Sequence, residues 1–319
     1  VIILFSIGET IQLKTNPCDI LTMGELLVDM ISTKTQDGLI YKQCFGGSVA
    51  NIAMNVKRLG AVPTIAACVG NDSLGRFCID HIESRGILTN LIQKTKEPTS
   101  MVLVNKTNGT PTPIFYRGAD RELKYTQALT QAIKQAKILH FSCWPISQPT
   151  SRQAIEKALD LAKQNGLLIG FDPNYHPGIW EDNHDGKDYV KSIISKVDII
   201  KPSEDDAIRL FGEASPHEHI QKFLELGAKL VIMTLGEKGA IVCDGKTTMK
   251  FETKATHVED TTGAGDAFWA GFYMGILKKR TVESAVNFGS AVSAYKLKFV
   301  GAVADLPTFQ SFCESEEEQ

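Results

Sequence analysis

From Gln127 onward the chain alternates between two hydrophobic periods. Apolar runs occur at 138–142, 167–171, 197–200 and 229–234, with helical patterns at about 127–137, 150–165, 186–195 and 203–226. Strands that alternate with helices become parallel neighbours, and the helices must cover both faces of the sheet they form. The pattern therefore predicts an α/β fold with a central, mostly parallel sheet flanked by helices. Ligands of such folds bind beyond the C-terminal ends of the strands. With 319 residues, 43% of them hydrophobic, the chain can fill the core this requires.

The densest chemical signal is Asp260-Thr-Thr-Gly-Ala-Gly-Asp-Ala-Phe268. A small-residue turn runs straight into a helical pattern carried by Phe268, Phe272, Met274 and Leu277. A helix N-terminus offers unpaired N–H groups and a partial positive charge, and glycines let a phosphate approach them. An aspartate in a purely phosphate-binding loop would repel its ligand. Asp266 makes chemical sense there as the acceptor of a proton from a hydroxyl that attacks the phosphate. An ordinary capped loop is the competing reading of these residues alone.

Two more glycine turns precede helical patterns. Phe45-Gly-Gly-Ser-Val-Ala-Asn51 allows close backbone approach at Gly46 and Gly47, and Asn51 offers both a donor and an acceptor to a ligand hydroxyl. Asp19 to Asp29 reads as one buried strand that delivers Gly24 and Asp29 to its end. Segments 38–43, 99–105 and 112–118 are β-rich with no helix between the last two, which are joined at Lys106-Thr-Asn-Gly109. They suit a small, discontinuous sheet acting as a lid that excludes water from the reaction. Ser203 reads as the N-cap of a helix whose first turn holds Glu204, Asp205 and Asp206. Residues 241–249 read as a hairpin. Their near match to a phosphate-binding P-loop fails, because the glycine spacing is wrong and no helix follows.

Other chemistries find little support. The net charge of −3 offers no general attraction to nucleic acid or to an anionic membrane. Seven widely spaced cysteines without a Cys-x-x-Cys favour reduced, buried thiols and a cytoplasmic setting. The opening apolar residues are too few to span a bilayer, and no basic leader precedes them. His217 and His219, two apart, are expected to face solvent. Residues 1–18 read as an extension without assigned role, and the acidic 310–319 as a frayed tail.

The string ending in Asp266 resembles the C-terminal signature of the ribokinase-like sugar kinases, the PfkB family. The Phe45–Asn51 segment, followed by Arg58-Leu-Gly-Ala61 and Val69-Gly-Asn-Asp-Ser-Leu-Gly75, resembles the N-terminal signature. The likeness covers residues 19–309. It implies an ATP-dependent sugar kinase with Asp266 as general base and the amides of Gly263, Ala264 and Gly265 as the anion hole. It assigns Asp29, Gly46, Gly47 and Asn51 to the sugar. Lys201, Thr234, Gly236, Gly239, Gly263, Gly265 and Asn287 fall to the nucleotide, and Glu204 to magnesium through water. Asp260, Thr262 and Gly301 match a monovalent-cation loop, so potassium joins ATP and Mg2+ as a candidate cofactor. Phe115-Tyr-Arg-Gly-Ala-Asp120 and Asp172-Pro-Asn174 with Trp180 resemble fructokinases, which adds Arg117 and Asn174 to the substrate site. Where that pattern often continues Leu-Arg, this chain has Tyr175-His176. The expected reaction is fructose to fructose 6-phosphate, ahead of 2-keto-3-deoxygluconate kinase and ribokinase. A sugar-binding regulator on the same fold is the non-enzymatic alternative. The lid's free edge suggests a homodimer.

Overall fold

The computed structural model describes residues 5–36, 38–105, 113–180 and 183–317. Its strands are β1 (Cys18–Met23), β2 (Leu27–Thr35), β3 (Gly38–Gly46), β4 (Pro63–Gly70), β5 (Ile92–Thr95), β6 (Met101–Val104) and β7 (Pro113–Tyr116). There follow β8 (Ala136–Ser142), β9 (Leu168–Asp172), β10 (Ile199–Ile200), β11 (Leu230–Thr234), β12 (Ala240–Cys243) and β13 (Thr248–Phe251). The helices are α1 (Ser48–Leu59), α2 (Ser73–Glu83), α3 (Gln127–Gln135), α4 (Cys143–Ile146), α5 (Pro149–Gln164) and α6 (Asn183–Ile193). They continue with α7 (Glu204–Phe211), α8 (Pro216–Glu225), α9 (Ala264–Leu277), α10 (Val282–Lys296) and α11 (Phe309–Glu317).

Nine strands form the main sheet in the order β13-β12-β11-β10-β9-β8-β1-β4-β5. All neighbours from β11 to β5 are parallel, and β12 and β13 add an antiparallel edge. Side chains alternate across the sheet, as a strand buried on both faces requires. Leu21, Leu139, Phe141, Ile169 and Phe171 pack under α3 and α5, while Ile20, Ile138, Leu168 and Ile199 pack under α1, α9 and α10. α9 is apolar all round and buried from Asp266 to Ile276. A Cβ at Gly271 would stand 2.8 Å from the Gly289 Cα, so small residues let α9 and α10 touch backbone to backbone.

The second sheet, β3-β2-β6-β7, is the small separate sheet in which the lid was expected. It has one strand more than expected. The run from Asp19 to Asp29 is not a single strand: Gly24, at φ +159, breaks it, and β2 leaves the main sheet and carries Asp29 into the lid. β2 pairs with β3 over the whole of both strands, Leu27↔Gly46 to Thr35↔Gly38. The expected turn at 106–109 lies outside the described residues.

Four further expectations change. Residues 203–226 form two helices, each opened by a capping box, at Ser203 with Asp206 and at Ser215 with Glu218. His219 does not face solvent. It is fully buried, with Nε2 2.9 Å from the Gly212 carbonyl, because α8 starts late and turns it inward. The N-terminal segment is part of the core: Ile7 and Ile11 are buried, Thr10 bridges Thr281, and Asp244 accepts the Ile7 N–H at 3.0 Å. The C-terminal acidic stretch is helical to Glu317, and α11 buries Phe312 against the same core.

Candidate active site

The turn into α9 is built around Gly263, in left-handed conformation at φ +75. A Cβ there would stand 2.2 Å from the Ala302 carbonyl, so no other residue fits. The amides of Gly263, Gly265 and Asp266 have no acceptor among the described residues, while Ala264 N–H donates to the Thr261 carbonyl. Three free amides at the start of a 14-residue helix form an anion site. Lys201, 4% exposed, lies against it: its Nζ would be 3.3 Å from a Cβ on Gly265. It pairs with Asp172 Oδ2 at 3.0 Å, and the same oxygen accepts Trp269 Nε1–H at 2.8 Å. The strand ends β9 and β10 thus hold one ammonium below the anion hole.

Asp266, 9% exposed, is the third residue of α9 and faces the N-terminus of α1. Ser48 donates its hydroxyl to Oδ1 at 2.6 Å, and Asn51 donates Nδ2–H to Oδ2 at 2.9 Å. Burial pushes the carboxyl up to about 6, helped by the charge of Asp172 and opposed by the two hydrogen bonds and by Lys201. Two more acids share this environment. Burial, with the charge of Asp266, pushes Asp29 up to about 7. Glu25 is also pushed up to about 7 by burial, against the hydrogen bonds it accepts from Ser48 N–H at 2.8 Å and Ser142 Oγ–H at 3.2 Å. Gly46 and Gly47 make room for them: a Cβ on Gly46 would be 2.6 Å from Asp29 Oδ2, and one on Gly47 2.5 Å from the Glu25 carbonyl.

The other expected residues are placed as follows. Arg117 follows β7, and its guanidinium is held by Asp120, by Ser147 Oγ at 2.9 Å, by the Ile179 carbonyl at 3.1 Å, and by the Trp144 ring 4.4 Å away. It ties the end of β7 to residues under the main sheet and has little left for a substrate. Asn174 is exposed just past β9, with backbone at φ +37. Thr234 ends β11 beside Ser203, its N–H on the Pro202 carbonyl at 3.0 Å, which puts it next to Lys201. Gly236 and Gly239 flank the short helical turn after it, both with positive φ. Asn287 sits in α10 and donates to the Glu283 carbonyl of its own helix at 3.2 Å.

Glu204 opens α7, half-buried. No group of three metal-ligating side chains occurs among the described residues. That donor set suits magnesium, which needs only one or two carboxylates when phosphates and water supply the rest. Asp260, Thr262 and Gly301 do come together. The Asp260 carboxylate accepts Gly301 N–H at 2.9 Å, Thr262 N–H at 2.9 Å and Thr262 Oγ–H at 2.7 Å.

Sequence reasoning passed over Glu25, Ser48, Ser142 and Trp269, and it placed Asp172 in the fructokinase-like segment without giving it a role in the site. The signals were slight: an acid beside Gly24, a serine after paired glycines, a tryptophan three residues past Asp266.

Comparison with known proteins shows which family and fold the chain shares. The model of the pfkB family carbohydrate kinases matches residues 19–309. The ATP-dependent 6-phosphofructokinase of Thermoanaerobacterium thermosaccharolyticum is 51% identical over 307 residues, 95% of each chain. Halothermothrix orenii fructokinase superposes with a TM-score of 0.77 at 38% identity, over 87% of this chain and 99% of that one. A fructokinase double mutant of Vibrio cholerae O395, with fructose, ADP and potassium ion bound, gives a TM-score of 0.82 at 26% identity over 94% of this chain and 99% of that one.

Proposed function

The chain belongs to the pfkB family of carbohydrate kinases, and from that membership we propose that it moves the γ-phosphoryl group of ATP to a primary hydroxyl of fructose. The observation that carries the reading is Asp266 itself. A buried carboxylate with a raised pKa stands on the last of the three residues whose free amides form an anion site. Asp266 takes the proton of the sugar hydroxyl as its oxygen bonds the γ-phosphorus, and ADP leaves. The amides of Gly263 and Gly265, with Lys201 beneath them, face the charge that gathers on the moving phosphoryl group. Magnesium, ordered through Glu204, supplies further neutralisation of the phosphates when bound. Asp29, carried by the lid, and the Gly46-Gly47 backbone receive the sugar, and lid contact with the main domain excludes water. Thr234, Gly236, Gly239 and Asn287 line the nucleotide's side of the cleft in this reading.

Asp29, Glu25 and Asp266 make the acceptor side acidic, and Arg117 is committed to Asp120. These features favour a neutral ketohexose over a sugar acid. Fructose 6-phosphate is the second reading, favoured by the name of the 51% identical relative. Purified protein with ATP and Mg2+, offered fructose, fructose 6-phosphate and 2-keto-3-deoxygluconate in turn, decides the matter. Catalytic efficiency on fructose is expected to exceed that on the sugar acid by roughly 10²-fold. A higher efficiency on fructose 6-phosphate replaces the first reading with the second.

Three finer points belong to the same proposal. Potassium accelerates the reaction through the Asp260 loop. The lid joins two copies of the chain. Seven cysteines, all free thiols, together with a nucleotide substrate, support a cytoplasmic setting.

A further inference from the structure

Ser48 stands between two buried acids. Its N–H is on Glu25 Oε1 at 2.8 Å and its hydroxyl on Asp266 Oδ1 at 2.6 Å, with Asn51 on Oδ2 at 2.9 Å. Both oxygens of the base therefore already accept a donor from α1. Each carboxylate oxygen has two lone pairs, so a substrate hydroxyl either joins Ser48 on Oδ1 or replaces it, and the 9% exposure of Asp266 leaves little room for both. The two donors differ in how readily they yield. Asn51 is buried and its Oδ1 already lacks a partner among the described residues, so releasing Nδ2 would leave the whole amide unmet. Ser48 can turn its hydroxyl about one bond while its backbone stays put, pinned by Glu25 and by Gly47 at φ +114.

We propose that Ser48 is a positioning residue for phosphoryl transfer: its hydroxyl occupies Asp266 Oδ1 until the sugar's primary hydroxyl takes that oxygen in its place. The exchange replaces one O–H···O⁻ bond by another, so the base is held in one orientation throughout at small energetic cost. On transfer, the sugar's proton passes to Oδ1, the sugar oxygen bonds the γ-phosphorus, and the bond from phosphorus to ADP breaks. The inference rests on Asp266 being the base.

It has a kinetic signature. A donor on the carboxylate favours the ionised form, and this one acts in the free enzyme but not in the sugar complex. The other charged groups facing Asp266 are Glu25, Asp29 on β2, Asp172 on β9 and Lys201 after β10, and none of them changes in a Ser48 variant. Ser48→Ala should therefore move the acid limb of kcat/KM to higher pH by about 0.5–1 unit and leave the acid limb of kcat in place. Ser48→Thr keeps the hydroxyl and should restore the original profile, and Ser48→Cys, a weaker donor, should fall between. Profiles are measured with the acceptor that gives turnover, fructose or fructose 6-phosphate, on variants whose melting matches the parent. The proposal fails if both limbs of Ser48→Ala move together, if neither moves, or if KM alone rises, the mark of a simple sugar contact. Asp266→Asn is run beside them. Near-normal turnover in that variant overturns the base and the exchange with it, whereas an inactive Asp266→Asn with unmoved Ser48→Ala limbs overturns the exchange alone.

Discussion

Asp266 is held near the working pH by opposing forces, and the balance has an observable sign. Burial and the Asp172 charge raise its pKa, the Ser48 and Asn51 bonds and Lys201 lower it, and the result is about 6. Only the ionised form accepts a proton, so kcat/KM should be flat above pH 6 and fall about tenfold per unit below it. Asp266→Asn keeps the shape of the side chain and removes the basicity. Turnover should drop by roughly 10²-fold or more while nucleotide binding, followed by calorimetry, persists. Wild-type turnover in the variant, or an acid limb near pH 4, would show that another group takes the proton. At this scale the string around Asp266 was readable because glycines and an aspartate at a helix start have few joint uses. The partners of Asp266 were not. Asn51 was expected to meet sugar hydroxyls, yet its amide is on the base. Ser48 and Glu25 act through a backbone turn that only folding across 218 positions of sequence brings to Asp266.

Among the elements, the loop before α9 is tied most closely to its neighbour. α10 reaches it twice: Ser293 Oγ–H donates to the Ala264 carbonyl at 3.0 Å, and Lys296 Nζ to the Asp260 carbonyl at 2.7 Å. Lys296 is fully buried, and its Nζ sits at the very loop expected to hold a monovalent cation. Burial pushes the Asp260 carboxyl up, but the bonds from Gly301 and Thr262 and the Lys296 charge outweigh it and hold the group down at about 2. Potassium should then help without being required. At constant ionic strength, turnover in potassium should exceed that in a bulky organic cation by less than about tenfold, or 1.4 kcal/mol. Lys296→Met, similar in length but uncharged, should make the dependence steeper. Equal rates in both salts for both proteins would take the cation out of the mechanism. The strand–helix alternation was legible at this scale because a parallel sheet buries both faces and leaves continuous apolar runs. The break at Gly24 was not, since a glycine within an apolar run reads equally as strand or turn. Nor was the docking of residues 5–17, whose few apolar side chains show no period until the core they fill is in view.

For the whole molecule, the lid raises the question of what covers it. Leu39, Tyr41, Ile114 and Tyr116 are 38–49% exposed, large and apolar. The register places them together. Leu39 pairs with Lys34 and Tyr41 with Ser32, while Ile114 pairs with Leu103 and Tyr116 with Met101, and Met101 in turn lies beside Val28. Counting by twos along each strand, all four side chains share the sheet face of Val28, opposite the face that carries Asp29. The sheet also ends in two open edges, β3 and β7. Exposed apolar groups in one patch beside unpaired strand edges favour association. A second copy of the chain offers the same patch, and a twofold axis makes such a surface complementary to itself. The expected outcome is a dimer of about twice 35.0 kDa by sedimentation or light scattering at micromolar concentration. Tyr116→Glu, which puts a charge into the patch, should yield a folded monomer. If the lid's position over the sugar depends on the partner, KM for the acceptor should rise in that monomer more than KM for ATP, because Asp29 rides on β2 whereas the anion hole belongs to α9. A parent protein that sediments as a monomer at these concentrations removes the lid-to-lid assembly, and a Tyr116→Glu dimer moves the interface elsewhere on the surface.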